Sequence, residues 1–193
     1  MKKLNLKVTG IVPLMEHDDK LANPFHPLAV ELKKITGKRK KTEDDYIMIA
    51  KIEWLGGLYH EDNGSQNGYF IKSECFEGTF LAAAKTFKAG TQFKRSVSII
   101  DNPVLIFPDW QKTPEQLFEI ALYKDFRTVK IGGSKVIRCR PRFNEWSCEV
   151  TVLYDQKNMD EELLKQIILK SQEFGVCDYR PKYGRFTVKF LNS

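Results

Sequence analysis

Three cations, two tyrosines, a proline and a glycine fall within eight residues near the C-terminus, in Asp178-Tyr179-Arg180-Pro181-Lys182-Tyr183-Gly184-Arg185. Such a set suits the gripping of a polyanion. Arg180, Lys182 and Arg185 supply charge for phosphates, and Tyr179 or Tyr183 can stack on a base for about 1–3 kcal/mol. Gly184 lets the main chain approach a phosphate with no side chain in the way. Pro181 lowers the cost of ordering the loop. The competing reading is a tight turn whose tyrosines pack on the preceding helix while its cations stay solvated.

A second set lies upstream in "SKVIRCRPRF", where Arg138, Arg140 and Arg142 alternate with Ile137 and Cys139. Period two puts the three guanidinium groups on one strand face, with Lys130 on the strand before. Taking Phe143-Asn144 as the turn into "EWSCEVTV" pairs Arg142 with Glu145, Arg138 with Glu149 and Cys139 with Cys148. The two acids would then neutralise part of the charge, at about 0.2–1 kcal/mol per pair. The surplus is either solvated charge or a phosphate-binding sheet edge. Pro141 has no N–H and argues for an edge strand or a bulge.

Weaker basic candidates are the exposed loop Lys38-Arg39-Lys40-Lys41, able to wrap a backbone with salt-dependent affinity, and the loop pair Lys94-Arg95. Catalysis finds less support. His17, His26 and His60 lack partner sets, and His17-Asp18-Asp19 is either an acid/base or metal pair or a plain polar loop. No P-loop, G-x-S-x-G, H-E-x-x-H or metal-spaced cysteine cluster is present. Cys75, Cys139, Cys148 and Cys177 contain no C-x-x-C and read as free thiols. No catalytic residue, metal or cofactor is assigned, and the minor alternative is a metal-independent ribonuclease using His17 or His26.

The chain of 193 residues has 31 Lys and Arg against 25 Asp and Glu, a formal +6 that suits a polyanionic partner. Its 42% hydrophobic residues suffice for a real core. "MKKLNLKVTGIVPL" fails as a signal peptide because Asn5, Lys7, Thr9 and Gly10 break its apolar run. No run approaches the ~20 residues of a membrane span, so a cytoplasmic protein is expected.

The elements that must position these residues follow from periodicity and punctuation. A strand opens the chain at Leu4, Leu6 and Val8, and residues 13–24 are a loop. Helices are expected from Pro27 to the stop at Gly37 and over 43–55, the latter capped by Thr42. "GLYHEDNGSQNGYFIK" reads as a hairpin turning at Asp62-Asn63-Gly64-Ser65. Ser73 caps a helix whose Phe76, Phe80, Ala83, Ala84 and Phe87 share a face, and "RSVSIID" and "VLIF" are strands. A short helix begins at Pro114. "RTVKIG" and "SKVIRCR" flank the turn Gly132-Gly133, "WSCEVTVLY" is a strand, "DEELLKQIILKSQEF" an amphipathic helix, and "RFTVKF" the last strand. Strand, strand, helix, strand gives an α+β fold of ferredoxin-like or RRM-like kind. Its antiparallel sheet carries helices on one face and is elaborated by insertions. A single domain over 1–193 is expected, with sub-lobes 1–110 and 111–193 as the available division.

The tail loop resembles the glycine-rich loop of the RAMP superfamily, the RRM-like proteins of CRISPR effector and guide-RNA-processing systems. There a helix ends and a loop of the form G-x-R-x-x-G-[YF]-G-R leads into a strand. Gly175, Arg180, Tyr183, Gly184 and Arg185 match it, while Pro181 and Lys182 stand where a second glycine is common. "VTGIVPL" is similar to the family's opening strand and loop, and "GYFIKSECFEGTFLAAAK" to its strand-to-helix segment. The pattern also resembles uncharacterised phage-encoded proteins ending in RP-x-x-GRF. The likeness covers about a third of the chain by motif. It implies RNA or single-stranded nucleic acid held on an RRM-like sheet and in the glycine loop. Some relatives cleave RNA with a histidine, but the first reading here is a non-catalytic binder that assembles into homo-oligomers along a strand. The alternative is a phage counter-defence protein that sequesters a signalling nucleotide or blocks a host defence protein.

Overall fold

The computed structural model describes residues 1–61 and 68–191. It is an α+β protein with two antiparallel sheets and six helices among the described residues. Contacts divide it into two compact units, neither continuous in sequence. The larger comprises Met1–Leu14, Glu61–Gln111 and Asn144–Ser193, the smaller Met15–His60 and Lys112–Phe143. This is not a cut near residue 110. The chain leaves the larger unit twice and returns twice.

The larger unit is a four-stranded sheet of β1 (Lys2–Gly10), β3 (Val97–Ile99), β6 (Ser147–Tyr154) and β7 (Phe186–Leu191), in the order β3-β6-β1-β7. Every pairing is antiparallel. Its helices are α3 (Ser73–Thr86), the short α4 (Gly90–Ser96) and α6 (Glu161–Ser171). Alternation along β1 buries Leu4, Leu6 and Val8, and β6 buries Cys148, Val150 and Val152 on the same face. Phe76 and Phe80 of α3 and Leu164, Ile167 and Ile168 of α6 complete this core, and the Phe76 ring meets Phe186 edge-on at 6.1 Å. The opposite face carries Lys3, Asn5, Lys7 and Thr9, with Glu149, Thr151, Thr187 and Lys189 beside them. No Phe, Tyr or Trp stands on that face in the four strands, so the sheet offers no aromatic stacking platform.

The smaller unit packs α1 (Pro27–Thr36), α2 (Glu43–Gly57) and α5 (Pro114–Glu119) with β4 (Lys124–Ile131) and β5 (Ser134–Phe143). These strands extend a two-residue β2 (Leu14–Met15) into a sheet of order β2-β5-β4. Thr42 and Asp45 close a capping box at the start of α2. At its other end Trp54 donates from Nε1 to the Tyr123 carbonyl at 2.7 Å and meets Phe118 edge-on. Gly57 lets the helix close on β5, since a Cβ there would stand 3.2 Å from Pro141 Cδ.

Several expectations fail, each for a physical reason. "VLIF" forms only isolated bridges at Val104 and Ile106. Lys94 and Arg95 lie in the last turn of α4 rather than in a loop. Lys72, not Ser73, is the cap position of α3, with no side-chain cap bond, and Phe87 is 38% exposed. The turn Asp62-Asn63-Gly64-Ser65 lies outside the described residues. The largest difference concerns "SKVIRCRPRF" and "WSCEVTVLY", which are not a hairpin. β5 pairs with β4 and β6 with β1, in separate sheets. The apolar phase of the two strands agreed, but shared phase says which face is buried, not which neighbour covers it.

Candidate nucleic-acid interface

The tail loop begins where α6 has unwound. Gly175 and Gly184 both have positive φ, +71° and +70°, and the two positions close on each other. Val176 N–H donates to the Gly184 carbonyl at 2.9 Å, and Gly184 N–H donates to the Pro13 carbonyl at 2.8 Å. A Cβ on Gly184 would stand 1.9 Å from the Val176 oxygen, and one on Gly175 2.7 Å from the Tyr183 oxygen. This corrects the role expected of Gly184. Its N–H is spent inside the protein and its missing side chain makes room for Val176, not for a phosphate. Arg180, Lys182 and Arg185 are exposed, as is Tyr179, while Tyr183 is half-buried. Arg180 is steered by one contact, from Nη1 to Thr79 Oγ1 at 2.8 Å. Thr79 is wholly buried on α3 and its hydroxyl also reaches the Gly175 carbonyl at 2.8 Å.

The arginine strand is built differently. Period two holds, as Cys139, Pro141 and Phe143 are buried while Arg138, Arg140 and Arg142 are half-exposed. β5 is the middle strand, however, not an edge. Pro141 is tolerated because β2 touches β5 only briefly there, taking a bond from Glu16 N–H to the Pro141 carbonyl at 3.1 Å. Two residues back, Glu53 of α2 replaces a strand, its Oε2 accepting from Cys139 N–H at 3.0 Å. The same carboxylate, 3% exposed, bonds Arg138 through Oε1. Asp125, 8% exposed, accepts from Arg127 Nη2 at 3.2 Å, has Arg127 Nε 2.6 Å away, and reaches Arg142 Nη1 at 3.4 Å. It also stands opposite Arg140 in the ladder. Neutralisation of Arg138 and Arg142 thus occurs through Glu53 and Asp125, not Glu149 and Glu145. Four guanidiniums share two acids, which leaves a surplus of positive charge on this face.

Arg127 and Asp125 escaped the sequence reading, although Asp125-Phe126-Arg127 at period two on a strand was a usable signal. Glu53 had no sequence signal, because it meets β5 across 85 residues of chain. On the other face of the same hairpin Lys130 stands opposite Lys135, and Phe126 and Ile137 are 61% and 68% exposed.

The remaining candidates are scattered. Lys38 bonds Asp45 at 2.6 Å, and Lys41 Nζ donates to the Lys38 carbonyl. Lys38 holds the Asp45 carboxyl below its usual range, helped by the Thr42 N–H. Arg39 and Lys40 are exposed. This loop precedes α2, about 16 Å along the helix axis from Glu53, so it does not join the arginine cluster. The tail loop belongs to the larger unit and the β4–β5 hairpin to the smaller.

His26 is an N-cap, its Nδ1 accepting from Leu28 N–H at 3.2 Å. Burial pushes the Cys139 thiol up to about 12, with Glu53 adding to it, and burial pushes Cys148 up as well. Neither is a nucleophile at neutral pH. None of the four cysteines forms a disulfide, and no cluster of three or more metal-ligating side chains occurs among the described residues. No described helix is long and apolar enough to cross a membrane. Comparison with family models and with curated proteins gives no match.

Proposed function

We propose that the chain is a non-catalytic nucleic-acid-binding protein that takes RNA or single-stranded DNA through two cationic elements, the tail loop and the β4–β5 hairpin. The observation that carries this reading is charge segregation. Residues 126–144 hold Arg127, Lys130, Lys135, Arg138, Arg140 and Arg142 and not one Asp or Glu. The acids that restrain part of this charge are buried, while Lys130 and Lys135 stay exposed. The tail loop adds three exposed cations on a main chain already fixed by internal bonds, so little ordering entropy opposes binding.

The fold supports the same reading. In the larger unit the elements run β-α-β-β-α-β, setting aside α4, with strand order β3-β6-β1-β7, which supports a ferredoxin-like reading of this unit. The second departure of the chain from this frame contributes the basic hairpin. Because the open sheet face lacks aromatics, base stacking falls to Tyr179 in the loop and Phe126 on the hairpin.

Fluorescence anisotropy with single-stranded RNA, single-stranded DNA and duplex, at two salt concentrations, tests the proposal. Single strands should bind with a slope of log K against log salt of about −0.7 per phosphate engaged. Replacing Arg180, Lys182 and Arg185 with alanine should flatten that slope by about 2, uniformly across sequences. An unchanged slope removes the loop from the site. Absence of binding to every strand at low salt ends the reading.

A further inference from the structure

A pocket of 410 Å³ opens beside the tail loop, lined by Ala82, Glu173, Phe174, Arg180 and Pro181. Its size lies within the ~300–1,000 Å³ of small-molecule sites. Two of its side chains carry opposite charge and yet do not pair with each other. Arg180 is fixed through Nη1 by buried Thr79, which leaves the rest of its five-donor fork for a ligand. Glu173 is held through Oε2 by Lys170 at 2.7 Å, and its Oε1 remains an acceptor. Phe174 and Pro181 supply flat apolar surface between them. A complementary ligand must be planar, with an acceptor edge for the guanidinium and an adjoining donor edge for the carboxylate.

Guanine has those edges. O6 and N7 accept from an arginine fork, and N1–H and the N2 amino group donate to a carboxylate. Adenine presents an amino group where the guanidinium wants an acceptor, and a bare N1 where the carboxylate wants a donor. We propose that this pocket binds one unpaired guanine base, read by Arg180 and Glu173 and stacked against Phe174. As part of a strand this deepens, and rests on, the nucleic-acid reading above. A free guanine nucleotide has the same recognising atoms.

The test separates these sources. The Ala82 methyl and Phe174 ring signals of the full chain are followed by NMR while 5′-GMP or 5′-AMP is added. GMP should saturate them at about tenfold lower concentration than AMP, and Glu173→Gln should erase the difference. Oligothymidylate with a single guanine should bind about tenfold tighter than the same strand with a single adenine, again only in the wild type. Equal effects of GMP and AMP, or a preference that survives Glu173→Gln, overturns the pocket even if strands bind well. A GMP preference in a chain that binds no strand keeps the pocket, removes the nucleic-acid reading and makes the ligand a free guanine nucleotide.

Discussion

In the tail loop the main chain is committed and the cations are loose. In β5 the guanidiniums of Arg138 and Arg142 are the committed groups. Gly175, Val176 and Gly184 use their peptide groups on one another, on Pro13 and on Thr79, so the loop holds its form with Lys182 and Arg185 pointing to solvent. Arg138 and Arg142 instead hang on Glu53 and Asp125, both nearly wholly buried. A cation tethered to a buried acid loses part of that bond when it turns to a phosphate. Lys182 and Arg185, exposed on a loop whose main chain is fixed, have no such bond to lose. Under the proposed function, the loop cations and Lys130 and Lys135, which leave no acid behind, would meet a phosphate at less cost than Arg138 and Arg142.

The contrast breaks first at Gly184. Alanine there must keep φ near +70° and place its Cβ 1.9 Å from the Val176 oxygen. Left-handed strain of about 1–2 kcal/mol and overpacking of about 1–3 kcal/mol add to roughly 2–5 kcal/mol, read by chemical denaturation. A loss under ~1 kcal/mol would mean that the loop's main chain is not what fixes it. Gly132→Ala is the control, since its added Cβ meets nothing within 4 Å.

Next comes Glu53→Ala. It strands the Cys139 N–H and leaves Arg138 without its acid. Broken buried pairs cost about 3–5 kcal/mol, but Arg138 reaches water, so about 2–3 kcal/mol is expected by the same method. If stability falls by that amount while affinity for single strands rises, the tether competes with phosphate. If stability is unchanged, Arg138 was never committed and the contrast between the two regions fails.

What was legible in the chain was local. The turn at Gly132-Gly133, the cap at Thr42, the amphipathic stripe of α6 and the same-face arginines all follow from spacing within a dozen residues. Partner choice was not legible. β6 lies only a few residues beyond β5 yet pairs with β1, some 140 residues distant in register, because both strands bury the same kind of face and burial alone does not pick a neighbour. The same limit hid Glu53, a helical carboxylate whose purpose appears only when α2 lies along β5. It also gave Gly184 a ligand-facing role, since a glycine required by an approaching carbonyl and one required by an approaching phosphate look identical in sequence.

Thr79→Val sharpens the comparison from the loop side. It keeps the volume but removes the hydroxyl that holds Arg180 and reaches the Gly175 carbonyl. About 1 kcal/mol of stability should go, with the overall salt slope of strand binding preserved because no charge is lost. A slope that flattens by about 0.7, the share of one phosphate, would show that Arg180 must be held in place to bind at all.

The smallest effect concerns Lys38, the member of the basic loop that is paired with an acid. Its bond to Asp45 is the main reason that carboxyl titrates below its ordinary value, with the Thr42 N–H second. A carboxyl depressed in the folded state stabilises the fold above its unfolded pKa, near 3.9. That contribution disappears as pH falls through the lower folded value. Lys38→Ala removes the larger cause, so the variant should melt slightly below the wild type at pH 6. The two melting curves should converge as the pH falls below the ordinary carboxylate range, once Asp45 is protonated in both. For strand binding the order reverses, and alanine at Arg39 or Lys40 should weaken binding more than alanine at Lys38, whose ammonium already has a partner. Equal losses at all three positions would mean that pairing with Asp45 does not withhold Lys38 from phosphate.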